Sequence, residues 1–232
     1  ENWQQALPNN AIPFGSVMVL LVKKDNPKQI HDWSDLIRPD VKVVLANPKT
    51  SANGRFAYLS ALAYANQQGK DPEDFMVALL KNVPVLEAGA RSASIAFTQR
   101  NIGDVLIAPE NEAALAAQTF GNDSFEVIYP SLTAYTPVYV AEVSKNTAQD
   151  GLHLQAHVYL ANLWSEPAQQ LAAENFFRPT SAKILEKTTA LFPKVASFDV
   201  NKTFGSWDEI NQTHFIDNAL FDRWYLAAQQ NR

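Results

Sequence analysis

The chain has 232 residues, 47% of them hydrophobic and 11% aromatic, which is enough to close a sizeable core and too apolar for a disordered segment. Its 19 Lys and Arg stand against 24 Asp and Glu, a formal charge of -5 without the basic footprint of a nucleic-acid binder. It has no cysteine, which excludes disulfides and thiolate metal sites but leaves the compartment open.

The start, Glu1-Asn-Trp-Gln-Gln, has neither a basic n-region nor the apolar stretch that should follow one, and so fits a mature or truncated product. The apolar run over 16–22 is far short of the ~20 residues of a membrane span. Strand-like runs fall at 17–22, 41–46, 83–86, 104–108, 125–129 and 135–141, separated by helical patterns at 56–66, 75–80, 95–100 and 110–120. That alternation predicts an α/β fold with mostly parallel strands. Asp71-Pro72 caps one helix, and Gly121-Asn-Asp-Ser124 marks a turn before a strand. Beyond residue 141 the pattern turns helical, at about 152–164, 166–175, 181–191 and 218–229.

Two turns carry the chemistry. Asn47-Pro-Lys-Thr-Ser-Ala-Asn-Gly-Arg55 joins an apolar run to a helical pattern, and Glu87-Ala-Gly-Ala-Arg-Ser-Ala-Ser94 does the same one unit later. A strand that feeds such a turn leaves backbone N–H groups unpaired at a helix head, where the macrodipole adds positive charge; this is an anion cradle. The plainer reading is that Thr50 or Ser51 only caps a helix.

These two turns, with Arg100-Asn-Ile-Gly-Asp-Val-Leu-Ile-Ala108, Glu110-Asn-Glu-Ala113, Leu7-Pro-Asn-Asn10, Asp32-Trp33 and Phe204-Gly-Ser-Trp207, resemble the periplasmic sulfate- and thiosulfate-binding proteins of ABC importers along nearly the whole chain. The resemblance implies a periplasmic-binding-protein-like α/β fold of two lobes joined by two crossings, with the ligand held between the lobes. On that pattern 1–22 are the lead-in and first crossing, 23–131 a complete lobe, 132–141 the second crossing, and 142–232 the helical remainder of the other lobe. It also implies a further N-terminal segment before Trp3, not contained in this sequence, so that the first lobe is expected to be incomplete. A chain of that kind is expected to bind its anion weakly and to dimerise or depend on a complementary N-terminal fragment.

Residue by residue, the resemblance makes Ser51 a hydroxyl and amide donor, Ala52 and Asn53 the next two amide positions, and Ala90 a donor at the second helix head. Two departures stand out. Ala52 occupies a position where the family usually has glycine, and Pro109 one where it has an aromatic residue, a tryptophan in the sulfate branch; proline offers no N–H. The implied function is capture of sulfate, thiosulfate or a related oxyanion for an ABC permease, in the periplasm, with no cofactor, metal or catalytic residue. The departures support a second reading, a truncated or degenerate member that acts through protein contacts.

Other chemistries find little support. Arg55 and Arg91 follow the donor turns but read better as flanking ion pairs than as direct contacts. His153 and His157 have the i,i+4 spacing of a zinc pair but lack the glutamate of the metalloprotease motif and read as exposed helix histidines. Glu110 and Glu112 favour a helix start over paired acid catalysis. With no nucleophile elbow or Walker loop, the sequence argues against an enzyme.

Overall fold

The computed structural model describes residues 2–121 and 123–230. In chain order the elements are a short turn α1 (Pro8–Ala11), β1 (Phe14–Lys23), β2 (Val43–Ala46), α2 (Ala52–Gln67), α3 (Pro72–Lys81), β3 (Leu86–Glu87), α4 (Ala90–Thr98), β4 (Val105–Pro109), α5 (Glu110–Phe120), β5 (Phe125–Ile128) and β6 (Thr133–Val138). There follow α6 (Ser144–Gln149), α7 (His153–Ala161), α8 (Glu166–Glu174), β7 (Arg178–Pro179), α9 (Ala182–Lys187), β8 (Ser197–Phe198), α10 (Val200–Phe204), α11 (Trp207–Ile210) and α12 (Leu220–Gln230).

The chain divides into two compact units, one of Glu1–Ser16 with Thr136–Lys194, the other of Val17–Tyr135 with Val195–Arg232. The backbone therefore passes between units three times, within β1, within β6 and again at Lys194–Val195, not only at the two crossings expected over 1–22 and 132–141. The expected grouping of all of 142–232 in one lobe also differs from the observed one, because the last segment belongs with Val17–Tyr135. The reason is aromatic burial. The Tyr58 ring on α2 stacks 6.1 Å from Trp224 and meets Phe215 at 5.3 Å and Phe221 at 5.9 Å, all three from the C-terminal segment. Phe221, Trp224 and Ala228 recur at helical spacing, so α12 buries one stripe against this cluster.

In the larger unit the strands lie in the order β3-β2-β4-β1-β6-β8, with β5 also on β1. The β2–β3, β2–β4 and β6–β8 pairings are parallel, whereas β1 runs antiparallel to β4 and β5, so the sheet is mixed and less parallel than expected. Side chains alternate across it as the pleat requires. Met18, Leu20, Val22, Val43, Leu45, Val105 and Ile107 enter one core with α2, α3 and α12. Val17, Val19, Leu21, Val44, Ala46, Leu106 and Ala108 enter the other, with α4 and α5. Covered on both faces, β1 and β2 read as unbroken apolar runs. Thr133 Oγ1 donates to Met18 O at 2.6 Å and ties β6 beside β1, and Trp33 Nε1 donates to Leu132 O at 2.7 Å just before it.

The smaller unit is mostly helical. Pro179 and Arg178 of β7 pair with Phe14 and Gly15, Gln169 Nε2 donates to Pro13 O at 2.7 Å, and Ala173, Ile184 and Phe192 form a small core of their own.

His214 is buried beside Tyr58, whose hydroxyl lies 3.1 Å from Nδ1. Burial pushes the Tyr58 phenol pKa up, so the phenol keeps its proton beside the imidazole. Burial also pulls the His214 pKa down to about 4. In the unfolded chain the ring titrates near 6.5, so between these values the unfolded state binds the extra proton. This contribution to stability is therefore present above about pH 6.5 and is lost as pH falls toward 4, by at most about 3 kcal/mol. Urea denaturation of wild type and His214→Gln from pH 7 to 4.5 should show the wild type losing stability more steeply; parallel curves would contradict this.

Candidate functional site

The candidate residues Ser51, Ala52, Asn53 and Ala90 all belong to the larger unit, where three parallel strands end side by side and each feeds a helix. β3 leads to α4, β2 to α2 and β4 to α5. In open α/β sheets, ligands gather beyond the carboxyl ends of such strands.

Ser51 is the N-cap of α2. Its extended backbone leaves the helix axis, and its Oγ accepts the Gly54 amide at 3.3 Å. Its carbonyl takes the Arg55 amide at 3.1 Å. Ala52 and Asn53 are the first two helical residues, and among the described residues no acceptor faces their amides, as the geometry of a helix start requires. Ala90 is the first residue of α4 after the N-cap Gly89. Ser92 Oγ accepts the Gly89 amide at 3.1 Å, while the amides of Ala90 and Arg91 likewise meet no acceptor among the described residues.

The fold brings these two heads together. Ala46 is in register with Glu87, the Asn47 amide donates to Glu87 O at 2.7 Å, and Thr50 Oγ1 donates to Ala88 O at 2.8 Å. Gly54 permits the approach of α2. A Cβ there would stand 2.4 Å from Ala46 O and 2.8 Å from the carbonyl carbon of Asn47, so only glycine lets the helix start this close to the end of β2. The side chain of Ala52 is exposed.

The third head differs. Pro109 is its N-cap and brings no N–H. Its first turn carries Glu110 and Glu112, whose negative charges satisfy the helix dipole. Glu110 is buried and accepts from Tyr129 Oη at 2.7 Å. The heads of α2 and α4 thus carry no acidic residue in their first turns, whereas that of α5 carries two.

The nearby cations are engaged with the protein. Arg55 donates through Nε to Pro48 O at 2.9 Å and through Nη1 to Asn211 Oδ1 at 2.8 Å, and lies 5.1 Å over the Phe215 ring. Arg91 pairs with Glu112 at 3.3 Å, joining the starts of α4 and α5. Lys49 meets Asp222 at 3.0 Å and Asp217 at 3.1 Å. Burial works against the Lys49 charge, but the two carboxylates outweigh it and raise its pKa. Neither the ion pairs of Lys49 nor the distinct role of Thr50 is signalled by local sequence, because their partners lie elsewhere in the chain.

His153 and His157 sit in the smaller unit and line a cavity of about 450 Å³ with Trp3 and Glu142. His153 Nδ1 is 2.6 Å from Glu142 Oε1, and the carboxyl pKa is lowered by Thr147 first and by His153 next. Among the described residues no three His, Cys, Asp or Glu are arranged to hold a metal ion.

Residues 3–178 match the family model of bacterial extracellular solute-binding proteins. The chain is 47% identical over 228 residues to a thiosulfate-binding protein of Pseudomonas aeruginosa, covering 97% of this chain and 69% of that one. The chain belongs to the sulfate- and thiosulfate-binding proteins of that family. A sulfate-binding protein of Escherichia coli is 43% identical, over 96% of this chain and 69% of its own length. Among solved structures, the sulfate-binding protein SubI of Mycobacterium tuberculosis superposes with a TM-score of 0.76 at 29% identity, covering 93% of this chain and 74% of that one. A periplasmic thiamin binding protein shares the fold, with a TM-score of 0.66 at 14% identity. This solute-binding protein thus shares the mixed α/β fold of its relatives.

Because Gly54 sets the approach of α2 to β2, Gly54→Ala should force the helix start back and lower stability by about 1 to 3 kcal/mol, the usual scale of overpacking. Urea denaturation measures this. A change under about 0.5 kcal/mol would show that the backbone around Ala46 yields more easily than the contacts imply.

Proposed function

We propose that this protein captures sulfate or thiosulfate reversibly at the adjoining heads of α2 and α4 and presents it, in the periplasm, to an ABC permease. The observation that carries the reading is the pair of helix starts on adjacent parallel strands, with the amides of Ala52, Asn53 and Ala90 left without protein acceptors. The names of the relatives at 47% and 43% identity support the ligand class. No helix among the described residues is long and apolar enough to cross a membrane, which is compatible with a binding protein that meets its permease from outside the bilayer.

The chemistry is recognition without a covalent step. A tetrahedral dianion leaving water needs fixed donors in place of its hydration shell. Ser51 is suited to this because its Oγ accepts the Gly54 amide and leaves its own proton to give. Ala52 and Asn53 supply amides along the same helix head, and Ala90 supplies one from the second. Helix-end partial charges answer the anion without a cation in contact, in keeping with Arg55, Arg91 and Lys49 being paired elsewhere. With Pro109 contributing no N–H, the donor set rests on two heads.

Titration calorimetry of the full-length protein with sodium thiosulfate and sodium sulfate tests the reading. Ser51→Ala should weaken binding by about 1 to 3 kcal/mol, the scale of one lost hydrogen bond to a charged acceptor. Unchanged affinity would remove Ser51, and with it this placement of the site.

A further inference from the structure

The adjacent hydroxyls of Thr50 and Ser51 are in opposite hydrogen-bonding states. Each hydroxyl has one proton. Ser51 accepts from the Gly54 amide and keeps its proton available, whereas Thr50 donates its proton to Ala88 O at 2.8 Å. Thr50 thus has no proton left for a bound anion, although its side chain is exposed at the same turn.

What that bond does follows from where it lies. The β2–β3 ladder is short, with Leu45 opposite Leu86 and Ala46 opposite Glu87, and the Asn47 amide to Glu87 O extends it by one step. Beyond that the two chains diverge into their separate helices. Thr50 Oγ1 to Ala88 O bridges them past the end of the ladder, one residue before each N-cap, Ser51 on one side and Gly89 on the other. It also covers a carbonyl oxygen, and an uncovered carbonyl beside an anion would repel it.

We propose that Thr50 is a positioning residue of the anion site. Its hydroxyl brackets the turn before α2 to the turn before α4, which fixes the spacing between the two sets of amides and holds the Ala88 carbonyl away from the ligand. This rests on the oxyanion reading above.

The test compares Thr50→Val, which keeps β-branching and removes the hydroxyl, with Thr50→Ser, which keeps the hydroxyl, and with Ser51→Ala. Each is made in the full-length protein and titrated with inorganic thiosulfate and sulfate, and the ligand-free melting temperature is measured beside it. Thr50→Val should bind roughly tenfold more weakly or worse, the scale of one lost hydrogen bond. Its ligand-free melting temperature should stay within about 2 °C of wild type, since the bond is exposed. Thr50→Ser should bind within about twofold of wild type, the hydroxyl bond being kept. Wild-type affinity in Thr50→Val, failure of Thr50→Ser to restore binding, or a loss of affinity matched by an equal loss of ligand-free stability would each overturn the assignment. If Ser51→Ala weakens binding and Thr50→Val does not, the bracket fails and the oxyanion site stands. If neither weakens it, both fail.

Discussion

The site depends first on the parallel register of β2 with β3 and β4. Parallel strands that share a direction must send their following helices off the same edge, so Ala46 opposite Glu87 and Val44 opposite Leu106 place the starts of α4, α2 and α5 in one row. Each start exposes amides that the helix cannot satisfy itself. Burial keeps this register in place, because a slip of one residue would turn Val43 and Leu45 out of one core and Val44 and Ala46 out of the other. The same apolar packing that stabilises the sheet therefore sets the geometry of the donors.

Within that row the three heads divide by local sequence. Ser51 caps α2 and retains a proton, Gly89 starts α4 with no side chain to obstruct it, and Pro109 with Glu110 and Glu112 makes α5 acidic and without a donor at its cap. Gly54 adds a steric condition, since the backbone of β2 occupies the space where a Cβ would go. The C-terminal segment reaches behind the turn through Lys49, Asp217, Asp222 and the Arg55–Asn211 bond. Residues far apart in sequence thus support the loop that carries Ser51.

The parts legible in the sequence were those set by local pattern. The helix over 110–120 falls where its small and apolar residues put it, and the apolar run of β1 is readable although the strand extends from Phe14 to Lys23. Ends were harder. β2 begins at Val43 because the Val41 amide is taken by Arg38 O in a turn. β3 shrinks to Leu86–Glu87 because Val83 closes a turn on Leu80 O and Pro84 follows it. β6 starts at Thr133, whose buried hydroxyl pairs with Met18 O, a polar residue that an apolar run does not signal. The place of residues 195–230 was not legible at all, since it depends on Tyr58 meeting Trp224 across 166 positions. For the site, turn pattern marked the two helix heads and the family resemblance singled out Ser51, Ala52, Asn53 and Ala90 within them, but the division of labour between Thr50 and Ser51 depends on which acceptor each hydroxyl faces in space.

The central claim is that fixed amides at two helix heads are the anion's donors, and backbone amide chemical shifts read those donors directly. In a ¹⁵N-labelled full-length sample titrated with thiosulfate, the account predicts that the largest changes fall on Ala52, Asn53, Ala90 and Arg91, with saturation at a single affinity. Saturable binding that leaves those four resonances in place and moves amides elsewhere, such as those around Lys42 and Asn82 at the opposite edge of the sheet, would contradict it.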